Sequence, residues 1–153
     1  DIAIANAGIG GDLGPFGHIN YEKFSEILDV NTISPVRTLE AVTPNVAAGE
    51  GKVMAAITSQ LGSIQGSDAG WALTYRTSKA GLNMALRAAA TTVAEQGISV
   101  LALHPGHVRT DMGGESAPTL PDESAKGLAD VILGAGPASE LRFLNFLGET
   151  LPW

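Results

Sequence analysis

Tyr75-Arg76-Thr77-Ser78-Lys79 is the segment of this chain whose residue types and spacing could carry chemistry. A spacing of four on a helix puts the Tyr75 phenol and the Lys79 ammonium on one face. An unperturbed phenol, with a pKa of about 10, is a poor acid or base near neutral pH. A cation alongside changes that: at about 4 Å and an effective dielectric near 20, its attraction to a phenolate reaches at most roughly 4 kcal/mol. That is enough to bring the phenol toward working pH, so Lys79 is expected to lower the pKa of Tyr75. Taken alone, however, a Tyr-x-x-x-Lys pair recurs often on ordinary surface helices.

Three further segments gain meaning from the elements that must position them. Short apolar stretches punctuated by Gly or Pro, Ile2–Ala7, Val53–Thr58, Ser99–His104 and Leu141–Leu147, read as buried strands. Helical periodicity fills the intervals from Tyr21 to about Ala48, with an interruption near Asn31, from Tyr75 to Gln96, and from Glu123 to Leu133. Gly97 suits a left-handed helix end, and Pro121-Asp122 marks the start of the last helix. Strands alternating with helices imply crossovers and a mostly parallel sheet, so the fold class is α/β, a doubly wound Rossmann-like arrangement. Asn6-Ala7-Gly8, Ser59 with Gly62, and Pro105-Gly106 then all fall just past strand ends, on the rim where open α/β sheets bind ligands.

In this order, Asn-Ala-Gly, an Asn in the following helix, Ser-x-x-Gly, Tyr-x-x-x-Lys and Pro-Gly-x-Val-x-Thr make a chain that resembles the short-chain dehydrogenase/reductase family from end to end. His104-Pro105-Gly106, Thr110-Asp111-Met112-Gly113-Gly114 and the ending Phe146 to Trp153 are similar to the C-factor-type and sniffer-type carbonyl reductases. The resemblance implies hydride transfer between NAD or NADP and a carbonyl or secondary alcohol. It makes Tyr75 the proton donor, Ser59 a hydrogen-bond partner of the substrate oxygen, and Lys79 a ligand of the nicotinamide ribose. Asn31 would hold a water that relays protons from Lys79. Asn6 would tie strands together, Ala7 and Gly8 would make room for the cofactor, and Pro105, Gly106, Val108 and Thr110 would cup the nicotinamide.

Two departures stand out. Ser59 and Tyr75 are further apart than is commonest in the family, which lengthens the loop from Ser63 to Gly70. The glycine-rich strand-turn-helix that receives the cofactor's diphosphate is missing from the sequence. The cluster Gly8-Ile9-Gly10-Gly11-Asp12-Leu13-Gly14 fails GxGxxG because Leu13 occupies the last glycine position. With Asp1 leading directly into an apolar run, residues 1–153 read as one partial domain, the C-terminal part of such a fold. A non-catalytic interaction or signalling module derived from the family is the alternative reading.

Composition narrows the partners. Net charge is −7, with nine Lys and Arg scattered along the chain, which gives no electrostatic footprint for nucleic acid or anionic membrane. No apolar run is long enough to span a bilayer, there are no cysteines, and the expected setting is cytoplasmic. His18, His104 and His107 lack a carboxylate at ligand spacing, so no metal is expected. Asp111 and Glu115 read as solvated loop charges, and Ser59 lacks the GxSxG elbow of a hydrolase nucleophile. The expected ligand is a small carbonyl or alcohol. The two long helices suit a homo-oligomer, and the loop from Gly106 to Asp122 is expected to act as a lid ordered by ligand.

Overall fold

A computed structural model describes residues 1–136 and 140–153. It contains four strands, β1 (Ile2–Ala5), β2 (Val53–Ile57), β3 (Ser99–His104) and β4 (Arg142–Asn145), and four α-helices, α1 (Tyr21–Leu28), α2 (Ser34–Ala48), α3 (Leu73–Val93) and α4 (Pro121–Leu133). All strand pairs are parallel and the order is β1-β2-β3-β4, with Ile2 opposite Val53, Val53 opposite Ser99 and Leu101 opposite Arg142. The sheet is the expected parallel one.

Alternation along the strands sends residues to two cores. Met54, Ala56, Val100, Ala102 and Phe143 meet Leu39 and Val46 of α2 and Leu82, Leu86 and Val93 of α3. Val53, Ala55, Leu101, Leu103 and Leu144 meet Leu128, Val131 and Ile132 of α4 on the other face. Strand order advances in one direction while the helix changes face, so the β3–α4–β4 crossover has the opposite hand to the two before it. Such a reversal is rare, and the long connection 105–120 is what carries the chain around the end of the sheet.

Element ends differ from the sequence reading for local reasons. β1 stops at Ala5, two residues early, because the chain turns away there to cross the rim. β4 stops at Asn145, whose Oδ1 accepts from the N–H groups of Leu147 and Glu149 and closes a turn through Gly148 at φ +81°. Helix α3 begins two residues earlier than expected, and α4 begins at Pro121, where the missing N–H is harmless and Asp122 and Glu123 complement the helix dipole. Gly97 does adopt the left-handed conformation, at φ +72°. Between α1 and α2, a π-helical turn, Asp29–Ile33, accounts for the break in periodicity at Asn31.

Candidate active site

The C-terminal rim of the sheet gathers the residues singled out by sequence. Past β2, Thr58 donates its hydroxyl to the Lys79 carbonyl at 3.4 Å, and Ser59 caps a 3₁₀ turn, Gln60–Gly62, by accepting from the Leu61 N–H at 3.1 Å. Gly62 lies so close to α3 that a Cβ there would stand 2.8 Å from the Lys79 carbonyl carbon. The small residue at this position lets the strand end and the helix touch, which fixes Ser59 beside the first turn of α3.

Lys79 is 3% exposed, and its Nζ donates to the Ile57 carbonyl at 3.0 Å. Burial lowers its pKa to about 8. Tyr75 is half-buried, and its pKa is raised by burial, with the Ser59 side chain opposing that rise. The net shift is upward, opposite to the lowering expected from the Lys79 charge alone. The ammonium sits 5.8 Å from the Tyr75 ring centroid with one hydrogen bond spent on Ile57, and loss of solvent dominates the phenol instead. Burial thus disfavours the phenolate, the charged form.

Asn31 is fully buried and its amide is occupied. Oδ1 accepts from the Ile9 N–H at 2.8 Å, while Nδ2 donates to the Ile9 carbonyl at 2.9 Å and to Ser78 Oγ at 3.1 Å. Ser78 in turn donates to the Tyr75 carbonyl at 2.8 Å. The Asn31 side chain thus clamps the segment after β1 onto α3, using both Nδ2 hydrogens. Gly8 is held against this cluster: a Cβ there would lie 3.3 Å from Lys79 Nζ and 3.4 Å from Asn31 Oδ1.

Asn6 is the residue expected to tie strands together. It is exposed just beyond β1 and makes no side-chain hydrogen bond among the described residues, because β1 is an edge strand and offers no neighbour on its outer side. Ala7 is exposed beside it. On the far side of the rim, Pro105 and Gly106 follow β3, with Gly106 at φ +87° and its Cα against the Phe146 ring. Ser124 donates to the Pro105 carbonyl at 2.6 Å and so anchors this turn to α4.

Within the loop from Gly106 to Asp122, expected to act as a lid, the segment from Val108 to Thr119 makes internal hydrogen bonds. Arg109 N–H donates to the Thr119 carbonyl at 2.9 Å, the His107 ring meets the Gly113 carbonyl at 2.8 Å, and Thr110 Oγ1 accepts from the Gly113 N–H at 3.2 Å. These bonds close the loop on itself. Its Met112 reaches the segment after β1, 3.6 Å from where a Cβ of Gly10 would stand.

Sequence reasoning missed Thr74, Ser78 and Gly11, which contact the site residues. Gly10 and Gly11 registered only as a failed phosphate motif, and Ser78 only as a spacer inside Tyr-x-x-x-Lys. His104, at the end of β3, is buried, and this together with His107 lowers its pKa to about 4. It is a neutral imidazole with Nδ1 unpartnered. Among the described residues, no three His, Cys, Asp or Glu side chains gather to hold a metal ion, and no helix is long and apolar enough to cross a membrane.

With this geometry in hand, comparison with known proteins gives consistent results. A family model described as short chain dehydrogenase matches residues 1–121. The chain is 36% identical over its whole length to a protein named C-signal from Myxococcus xanthus, covering 92% of it. It superposes with a TM-score of 0.93 and 31% identity on the carbonyl reductase Sniffer of D. melanogaster, and with a TM-score of 0.91 and 30% identity on a short-chain dehydrogenase/reductase from Burkholderia multivorans solved with bound NADP. In both superpositions it covers 99% of its own length but spans only 66% of the solved chain. Matched motifs, the parallel sheet and the rim that joins Asn31, Ser59, Tyr75 and Lys79 agree: the chain belongs to the short-chain dehydrogenase family.

Proposed function

We propose that the chain supplies the catalytic half of an NAD(P)-dependent oxidoreductase acting on a carbonyl or secondary alcohol. The observation that carries this reading is the half-buried Tyr75 phenol meeting Ser59 and Lys79 at the C-terminal rim of the sheet. The cofactor's fit is supported at one end only. Gly8 puts no side chain beside Lys79 Nζ, which suits a nicotinamide ribose held by Lys79, and Pro105, Gly106, Val108 and Thr110 would cup the nicotinamide. No glycine-rich turn opening a helix is found among the described residues. Gly10 and Gly11 lie against Met112 and α3, and α1 starts only at Tyr21, capped by Asn20.

When bound, the nicotinamide supplies or accepts the hydride. Tyr75 Oη gives its proton to the carbonyl oxygen and takes it back in alcohol oxidation, a contribution of about 10²–10⁴-fold for a positioned acid. The Ser59 hydroxyl hydrogen-bonds the same oxygen, and Lys79, charged below about pH 8, favours the phenolate left behind. Asn31 steadies Tyr75 through Ser78 and the segment after β1 through Ile9, and it would hold a water that relays protons from Lys79. Leu13, Trp71 and Met112 are exposed apolar side chains next to this rim, which favours a carbonyl on an uncharged body. Ile33 and Met84, exposed just before α2 and on α3, support a homo-oligomer built on those helices.

The test joins this chain to a glycine-rich cofactor-binding half and follows ketone reduction with NADH and NADPH. Tyr75→Phe is expected to abolish turnover while leaving the fold intact, and parental rates in that variant would sink the assignment. One observation favours a second reading, a non-catalytic module: the chain covers nearly all of the protein named C-signal without a diphosphate cradle. Cofactor affinity of the 153-residue chain separates the two.

A further inference from the structure

Helix α3 begins in an unusual way. Its N-cap, Ala72, is left-handed at φ 54° and ψ 38°, is 1% exposed and offers no side-chain cap. Alanine adopts that conformation only when its surroundings impose it. What imposes it here is the segment that crosses the rim after β1. Thr74, with no exposed surface, donates its hydroxyl to the Asp12 carbonyl at 3.1 Å, and the Ala72 N–H points to the Leu13 carbonyl at 3.5 Å. Gly11 is pressed onto the same turn: a Cβ there would lie 2.8 Å from Thr74 Oγ1 and 3.0 Å from Tyr75 Cβ.

The same segment therefore meets Lys79 at Gly8 and Tyr75 at Gly11. It is pinned at Ile9 by two hydrogen bonds of Asn31, whose third goes to Ser78 on α3, and at Asp12 by a single side-chain hydroxyl. We propose that Thr74 is a positioning residue for the Tyr75 phenol, locking the first turn of α3 to the rim segment so that the phenol faces Ser59 at a fixed height above Lys79. This rests on the reading of Tyr75 as the proton donor. Thr74 touches no reacting atom. It acts through the backbone of its neighbour, and losing its hydroxyl leaves the Asp12 carbonyl unpaired and the first turn free to move outward.

The test needs neither cofactor nor turnover. The chain has two tyrosines, so Tyr21→Phe leaves Tyr75 as the only phenol, and ultraviolet absorbance then reports its ionisation directly. Thr74→Val removes the hydroxyl at nearly constant shape, and Thr74→Ser keeps it. In the valine variant the titration midpoint is expected to fall toward that of free tyrosine, because the burial that raises it is relaxed, while the serine variant stays with the parent. An unchanged midpoint in a folded valine variant overturns the proposal.

Should Thr74→Val not fold by circular dichroism, Gly11→Ala perturbs the same contact from the opposite side and is expected to produce the same fall. An unchanged midpoint there, or failure of both variants to fold, assigns the contact to maintenance of the fold and overturns the positioning role. The two readings fail separately. Parental turnover in Tyr75→Phe removes the proton-donor assignment whatever the titration shows, whereas an unmoved midpoint removes only the role of Thr74.

Discussion

Lys79 is a buried amine whose charge the fold opposes, and that opposition has a measurable pH signature. The group titrates at about 8 when folded, against 10.5 when free. Between those values the unfolded chain binds more protons than the folded one, so stability rises with pH across the window and is flat below about 8 and above about 10.5. At about 1.4 kcal/mol per pH unit the full effect is roughly 3 kcal/mol, of which about 2 kcal/mol falls between about pH 7.5 and about pH 9.5, below the phenol titrations. Lys79 is only 3% exposed, so solvent screening does not reduce this figure. Lys79→Met keeps the stem volume and removes the titration. It also removes the bond to the Ile57 carbonyl, an offset of about 1.5–3 kcal/mol that applies across the whole range. Urea unfolding of both proteins over that range is expected to show the parent gaining about 2 kcal/mol on the variant as pH rises. Two parallel pH profiles would refute the argument and mean that Lys79 reaches solvent in the folded state.

Three further predictions concern packing, cofactor affinity and the sheet edge. Gly62→Ala is expected to cost roughly 1–3 kcal/mol, read as a lower melting temperature, because the new methyl meets Lys79 backbone that cannot yield without moving α3. A variant that melts with the parent would show that the strand end and α3 are not in contact in solution. The chain alone is expected to bind NADPH at least about a hundredfold more weakly than a complete family member, since two or three charge-assisted phosphate bonds at about 1.5–3 kcal/mol each have no donors here. Its apolar β1 edge, with Ile2 and Ile4 about half exposed, is expected to self-associate. Micromolar affinity in a fluorescence titration of the monomer would reveal a phosphate site elsewhere on the chain.

Much of the fold can be read directly from the sequence, because buried parallel strands are short apolar runs and helices repeat every 3.6 residues. β3 and the break at Asn31 are local patterns of this kind. The Ser59, Tyr75 and Lys79 types are equally legible, since their chemistry resides in the side chains themselves. What only the tertiary structure decided is how those side chains are surrounded. The sign of the Tyr75 perturbation depends on whether a cation or loss of solvent dominates, and spacing along a helix does not determine burial. The Asn31 amide is spent on Ile9 and Ser78, partners 22 and 47 residues away in sequence. Thr74 and Gly11 matter because two backbones come within contact of each other, and the change of face between α3 and α4 depends on the path of a loop whose composition alone suggested a lid. Each of these is a non-local contact, settled when the layers pack and invisible to any pattern read along one segment.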